Sequence, residues 1–287
     1  MSDSNLKPVT IKVPAKVNLF LHVLGKTDNN YHTLQSLIAF TDLTDTIEIT
    51  PADNFEFRVT SKHSDIENDQ NLVVQAAKKL SSLTGKKLNL KIHLEKNIPI
   101  GAGLGGGSAD AAATIKGLLK YWGLKEPDTT HKLLVSLGAD VPVCYEDNAR
   151  YIEGYGEIIH PLDNMPSCSG IIVYPNILCS TGEIFQTYST KCSKEISLMK
   201  EFENLEDLYS FLQDQRNDLT ETACGLHPQI QNVLDDISRQ EGCEISRMSG
   251  SGSSCFGLFK TKQQSTKAAE IIQKERPDWF VRPVTLY

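Results

Sequence analysis

The chain has 287 residues, 40% of them hydrophobic and 23% charged, with a formal net charge of −7. That balance belongs to an ordinary globular protein of one large or two smaller domains and excludes a fibrous or disordered chain. The acidic excess argues against broad electrostatic binding to nucleic acid or an anionic membrane, yet leaves room for a local basic pocket that takes a phosphate.

The opening MSDSNLKPVT is polar and lacks the apolar core of a signal peptide, and no apolar run approaches the ~18 residues of a membrane span. A cytoplasmic location is expected, with small molecules as partners and neither nucleic acid nor membrane. Within Thr10 to Leu24 the run VPAKVNLFLHVL predicts a strand on which Lys16 and Asn18, two residues apart, project from one face. TDTIEIT and NFEFRVT alternate apolar and polar residues and predict half-exposed antiparallel strands. Asn71 to Leu83 predicts an amphipathic helix, KLNLKIHLEK a strand, and ADAAATIKGLLKYW a second helix after a glycine-rich loop. A short helix follows around His131 to Leu137, and LGADVPVCY is expected to be extended, fixed by Pro142.

Between Tyr155 and Ser169 the sequence turns rich in Gly, Pro, Asp and Ser, which marks a soft domain boundary. Beyond it GIIVYP predicts a strand, LEDLYSFLQ a helix, EISRMSGSGSSCFGLF strand-like flanks around a Gly/Ser loop, QSTKAAEIIQKE a helix and WFVRPVTLY a final strand. No tandem repeat is present, so an array is not expected. Seven cysteines without a CxxC pair predict reduced thiols rather than a disulfide framework or a structural zinc site. The seven histidines show no HExxH or other helical ligand spacing, so no transition metal held by the protein is expected.

The densest chemical signal is IPIGAGLGGGSADAAA, Ile98 to Ala113, in which five glycines and Ser108 lead into an Ala-rich helix. Glycines admit an anion close to the backbone, and a helix N-terminus offers free N–H groups and a positive dipole end. The plainer use is a flexible surface turn. A Walker A loop would need Lys where Gly107 stands, and the HRD and DFG signatures of protein kinases are missing. Gly101, Gly103 and Gly106 satisfy GxGxxG, but the preceding strand alternates Leu90, Ile92 and Leu94 with Lys91, His93 and Glu95. A buried parallel strand of a dinucleotide-binding sheet is apolar on both faces, so a dehydrogenase ranks last.

Phosphoryl transfer asks for a carboxylate near the acceptor hydroxyl and cations around the transferred group. Asp140, within the Gly138, Asp140, Pro142 cluster, and Lys16 have the right chemistry, although a lone Lys is usually solvated and an Asp after a helix is often a turn residue. SGSGSS, Ser249 to Ser254, fits equally a donor loop for phosphate and a simple hairpin turn.

The order PAKVNL, PIGAGLGGGSADAAA, GADVP, SGSGSS resembles the GHMP kinase superfamily of galactose, homoserine, mevalonate and phosphomevalonate kinases. Within it, PAKVNLFLHVLGK, YHTLQSL and LGADVPVCY resemble the branch that acts on 4-diphosphocytidyl-2-C-methyl-D-erythritol, and matching stretches run from Val13 to about Leu258. The resemblance implies a two-domain α/β (α+β) fold. Residues 1–160 would form a ribosomal-protein-S5-like ATP-binding and catalytic half, and residues 161–287 a ferredoxin-like substrate-binding half. It implies ATP with Mg²⁺ as cofactor and phosphorylation of the tertiary 2-hydroxyl in isoprenoid biosynthesis, by a monomer or homodimer.

By motif position, Lys16 and Asp140 would be catalytic. Pro99, Ile100, Gly101, Ala102, Gly103, Leu104, Gly105, Gly106, Gly107, Ser108 and Ala109 would form the phosphate loop, with Asn71 and Lys96 near the adenosine. Asn18, Tyr31, His32 and Phe185 would contact the cytidine substrate, Tyr31 and Phe185 sandwiching the base while His32 reads its edge. Two positions depart from the family pattern. Asn30 replaces the usual Gly before the Tyr-His pair, and Ala109 replaces a second serine, leaving Ser108 as the hydroxyl for phosphate or Mg²⁺. The alternatives are another GHMP kinase of mevalonate, homoserine or sugar type, which would not need an aromatic pair, and a non-catalytic nucleotide-binding regulator, which would not need Asp140.

Overall fold

A computed structural model describes residues 7–27, 32–61, 68–189 and 192–287. In chain order its elements begin with β1 (Val9–Lys26), β2 (His32–Pro51), β3 (Glu56–Ser61), α1 (Leu72–Thr84), β4 (Leu90–Lys96) and α2 (Gly106–Tyr121). Next come α3 (Thr130–Val135), α4 (Asp140–Val143), β5 (Arg150–Gly154), β6 (Ile158–Pro161), β7 (Cys168–Tyr174) and α5 (Thr181–Thr187). The chain closes with α6 (Leu205–Gln213), α7 (Thr220–Leu226), α8 (Gln229–Ser238), β8 (Cys243–Met248), β9 (Cys255–Phe259), α9 (Lys262–Glu275) and β10 (Phe280–Leu286).

These elements form two compact units. One holds residues 1–15, 44–98 and 105–147, and the other residues 16–43, 99–104 and 148–287. Strands β1 and β2, of 18 and 20 residues, are long enough to supply each unit with a segment, so both units are discontinuous in sequence.

In the first unit β4 pairs antiparallel with the end of β2, Ile49 facing Ile92, and parallel with β3, Phe57 facing Ile92. The parallel pairing corrects the antiparallel expectation for NFEFRVT. Helix α1 connects β3 to β4, and a crossover of that length returns the chain in the same direction, whereas antiparallel neighbours need only a tight turn. Alternation along β4 buries Leu90, Ile92 and Leu94 and leaves Lys91 and His93 half-buried. Helix α1 begins on Asn71, whose Oδ1 accepts from the Val73 amide at 2.9 Å, and ends at Gly85 in the left-handed region. Its Val73, Ala76, Ala77 and Leu80, at helical spacing, join Ile115 and Leu118 of α2 and Ile47 and Ile49 of β2 in one core.

LGADVPVCY does not extend: Asp140 opens the one-turn helix α4. Pro142 is compatible with this because its missing N–H falls in the first turn, where no intrahelical acceptor exists for it.

In the second unit β10, β7, β9 and β8 lie side by side, each pair antiparallel, with β10 also beside β2 through Leu286 and Thr41. Helices α8 and α9 pack on these strands. With β7 first in sequence and β10 last, the spatial order is the ferredoxin-like one. Helix α9 starts with a capping box, Thr261 and Gln264 satisfying each other's backbone N–H, an arrangement whose cap is worth about 1 kcal/mol. All seven cysteines are free. Among the described residues no helix is long and apolar enough to cross a membrane.

Candidate active site

In the second unit, the alternation of β1 puts Lys16 and Asn18 on one face, both buried, with Lys16 Nζ donating to Asn18 Oδ1 at 2.7 Å. The Asn18 amide nitrogen donates to Ser36 Oγ at 2.9 Å, and that hydroxyl donates in turn to the Phe20 carbonyl. The asparagine can therefore turn only its oxygen toward the ammonium. Asn18 N–H donates to Ser249 Oγ at 3.1 Å, which ties β1 to the SGSGSS loop.

The first half of the glycine-rich loop, residues 99–104, lies against the same elements. Lys16 N–H donates to the Leu104 carbonyl at 3.0 Å, and Ser254 N–H to the Ala102 carbonyl at 3.2 Å. Gly103 has φ +77°, and a Cβ there would stand 2.5 Å from the Gly252 carbonyl oxygen. The two Gly/Ser loops thus pass backbone to backbone, an approach that any side chain at Gly103 would block.

The second half of the loop belongs to the first unit. Gly105, φ +68°, caps α2, and Ala109 N–H makes the helix's first bond, to the Gly105 carbonyl at 2.9 Å. The amides of Gly106, Gly107 and Ser108 precede that bond and have no acceptor within the helix, and the first turn carries no acidic residue. This is the electropositive terminus that a phosphate requires. Gly107 is exposed, Ser108 half-buried, and a Cβ on Gly107 would meet only Leu72 Cδ1, at 3.8 Å.

Lys96, expected near adenosine, has its ammonium engaged by carboxylates: it donates to Asp45 and, at 2.7 Å, to Asp110 Oδ2. Asp45 Oδ1 also accepts from the backbone amides of Asn97, at 2.6 Å, and Ile98, at 2.8 Å. Burial alone would lower the lysine pKa, but the charges of Asp110 and Asp45 outweigh it and hold it above its ordinary value. Burial and the neighbouring Asp45 push Asp110 up to about 7 against the pull of Lys96. Asp110 Oδ1 has no hydrogen-bond partner. The triad joins the end of β4 to the start of α2, and a Cβ on Gly106 would lie 2.9 Å from Lys96 Nζ. Asn71 caps α1, and Asp140 is half-buried at the start of α4, which packs on α2.

Tyr31 and Asn30 fall outside the described residues. His32 stacks on Phe185 of α5, ring centroids 5.3 Å apart at 29°, and meets Tyr188 edge-on at 5.8 Å. Burial first, then the Lys26 ammonium, lower the His32 pKa, so the ring is uncharged at neutral pH. His32 thus already covers one face of Phe185, a pairing that sequence alone did not suggest. Among the described residues no group of three or more His, Cys, Asp or Glu side chains is placed to hold a metal ion.

Residues 71–148 match the family model "GHMP kinases N terminal domain" and residues 196–278 match "GHMP kinases C terminal". A 4-diphosphocytidyl-2-C-methyl-D-erythritol kinase of Paramagnetospirillum magneticum is 38% identical over 96% of this chain and 98% of its own length. One from Rhizobium etli is 37% identical over 96% and 93%. A solved 4-(cytidine 5'-diphospho)-2C-methyl-D-erythritol kinase superposes with a TM-score of 0.83 at 27% identity, covering 97% of this chain and 99% of that one. The fold extends to the Methanococcus jannaschii mevalonate kinase, at TM-score 0.70 and 17% identity. The chain belongs to the GHMP kinases and, among them, to the 4-diphosphocytidyl-2-C-methyl-D-erythritol kinase family.

Proposed function

We propose that this protein transfers the γ-phosphoryl group of ATP to the tertiary 2-hydroxyl of 4-diphosphocytidyl-2-C-methyl-D-erythritol, releasing ADP and the 2-phosphate. The observation that carries this reading is the buried Lys16 ammonium held on Asn18 beside two interlocked Gly/Ser loops, in a chain 38% identical over nearly its whole length to a kinase of that name.

The phosphates of ATP lie against Gly103 to Ser108 and the free amides of α2, with Asn71 and Lys96 toward the adenosine side. The hydroxyl proton passes to Asp140 as oxygen attacks phosphorus, and Lys16 offsets the charge that develops on the transferred group. Mg²⁺ would accompany ATP and offset phosphate charge, and Ser108 would offer it a hydroxyl. Asn18 accepts from Lys16 and faces the substrate. The cytosine stacks on Phe185 and Tyr31, and neutral His32 offers one ring N–H and one acceptor to the base edge.

The test is ADP release measured with 4-diphosphocytidyl-methylerythritol, mevalonate, homoserine and galactose. Turnover with the cytidine compound alone is expected, and preference for any of the others would move the protein to another branch.

A further inference from the structure

The RNDL segment ahead of α7 takes no part in the reaction as outlined, yet it is tied both to β1, which carries Lys16, and to the SGSGSS loop. Asn217 is buried, and both its amide hydrogens and its side-chain oxygen make hydrogen bonds within the protein. Nδ2 donates to the Met248 carbonyl at 2.8 Å and to the Gly250 carbonyl at 2.7 Å, and Oδ1 accepts from Leu219 N–H at 3.0 Å. The two carbonyls flank Ser249, whose hydroxyl accepts from Asn18 N–H. Gly250 is in the left-handed region, and a Cβ there would be 3.4 Å from Asn18 Oδ1 and 3.9 Å from Lys16 Nζ.

The segment is fixed from its other side by the strand that carries the lysine. Leu21 N–H donates to the Arg216 carbonyl at 3.0 Å and Asp218 N–H to the Leu21 carbonyl at 2.8 Å. Asp218 Oδ2 accepts from Val23 N–H at 2.8 Å while Arg216 holds its Oδ1 at 2.6 Å. Residues 216–218 therefore lie along β1 as a short parallel bridge, and Asn217 reaches from that bridge to the SGSGSS loop.

We propose that Asn217 is a positioning residue for Lys16: it sets the SGSGSS loop at the distance from β1 at which Ser249 and Gly250 fix Asn18 and, through Asn18, the ammonium. This rests on the reading of Lys16 as the cation that stabilises the transition state. Only an amide fits the place. A carboxylate of the same shape would set one negative oxygen against two carbonyls, and an apolar side chain would remove the donor to both carbonyls and the acceptor for Leu219 N–H.

A group that acts through Lys16 changes transition-state stabilisation more than substrate binding, so the kcat and KM effects separate. In the full-length protein, Asn217→Ala and Asn217→Asp should each lower kcat about 10- to 100-fold while KM for both substrates stays within about threefold. In a Lys16→Arg background, where a guanidinium replaces the ammonium, the same substitutions should cost less than about threefold more, since residues acting as one unit are not additive. Normal kcat in folded Asn217→Ala, or an equal loss in both backgrounds, overturns the proposal. Where Asn217→Ala does not fold, Ser249→Ala tests the same relay from its far end, and normal kcat there overturns it equally. Full activity of Lys16→Arg and Lys16→Met would instead remove Lys16 from the mechanism, an outcome distinct from failure of the Asn217 relay.

Discussion

Lys96 and Asp110 meet at 2.7 Å with side chains 5% and 3% exposed, and Asp45 completes the buried group. Two carboxylates thus share one ammonium at the point where β4 hands the chain to the glycine-rich loop. Folding raises Asp110 from 3.8 to about 7. Between those values the native state binds more protons than the unfolded chain, so this residue's contribution to stability falls as pH rises through the window. Asp110→Asn removes the titration. The Tm of this variant relative to wild type is expected to rise between pH 4 and pH 7, and a constant difference would show that Asp110 titrates normally.

Lys96→Met leaves Asp45 and Asp110 buried without a counter-ion and is expected to destabilise the protein by about 3–5 kcal/mol, measured by urea unfolding. If Lys96 served adenosine alone, ATP affinity would fall with Tm unchanged.

The glycines differ in what a methyl group would meet. Gly103→Ala drives Cβ to 2.5 Å from the Gly252 carbonyl in a left-handed conformation and should lower both Tm and kcat. Gly107→Ala meets nothing beyond its own helix closer than Leu72 Cδ1, at 3.8 Å, and should fold as wild type. A loss of ATP affinity in Gly107→Ala by calorimetry would therefore report the ligand itself, and unchanged affinity would move the phosphates away from the start of α2.

Asp140→Asn is nearly isosteric and is expected to lower kcat by ~10²–10⁴ with Tm preserved, the usual cost of losing a positioned general base. Full activity at normal Tm would take Asp140 out of the mechanism.

Phe185→Ala should raise KM for the cytidine substrate about 10- to 100-fold, from stacking worth ~1–3 kcal/mol per base, with KM for ATP unchanged. Because burial holds His32 below its ordinary value of 6.5, that KM should be flat above neutrality and rise only at acid pH, as the ring gains a proton. Equal effects on both substrates would assign Phe185 and His32 to the core. A uridine analogue turned over as well as the cytidine substrate would show that the base edge is not read.

What the sequence made legible was local. Lys16 and Asn18 declared themselves through period-two spacing within an apolar run, and the glycine cluster through its position before an Ala-rich helix. Helix α6 follows LEDLYSFLQ residue for residue. The groups that escaped notice depend on tertiary pairing. Asp45 sits in an unremarkable TDTI, and Asp110 reads as one polar residue in an alanine helix until Lys96 is folded between them. Asn217 follows a helix with no motif to single it out. The direction of β3 was lost for the same reason, since alternation reports which face is buried and says nothing of a strand's partner.

The hydrogen bond from Asn18 to Ser249 joins residues 231 positions apart. Lys16 emerges from the ribosome 233 residues ahead of Ser249, 234 ahead of Gly250 and 201 ahead of Asn217. Until then the lysine is a cation on an unfinished strand. Contacts of such long sequence separation are among the slowest for a chain to close. A truncated product ending before Asn217 would therefore hold every residue of the glycine-rich loop, together with Lys16 and Asp140, and is still expected to transfer no phosphate.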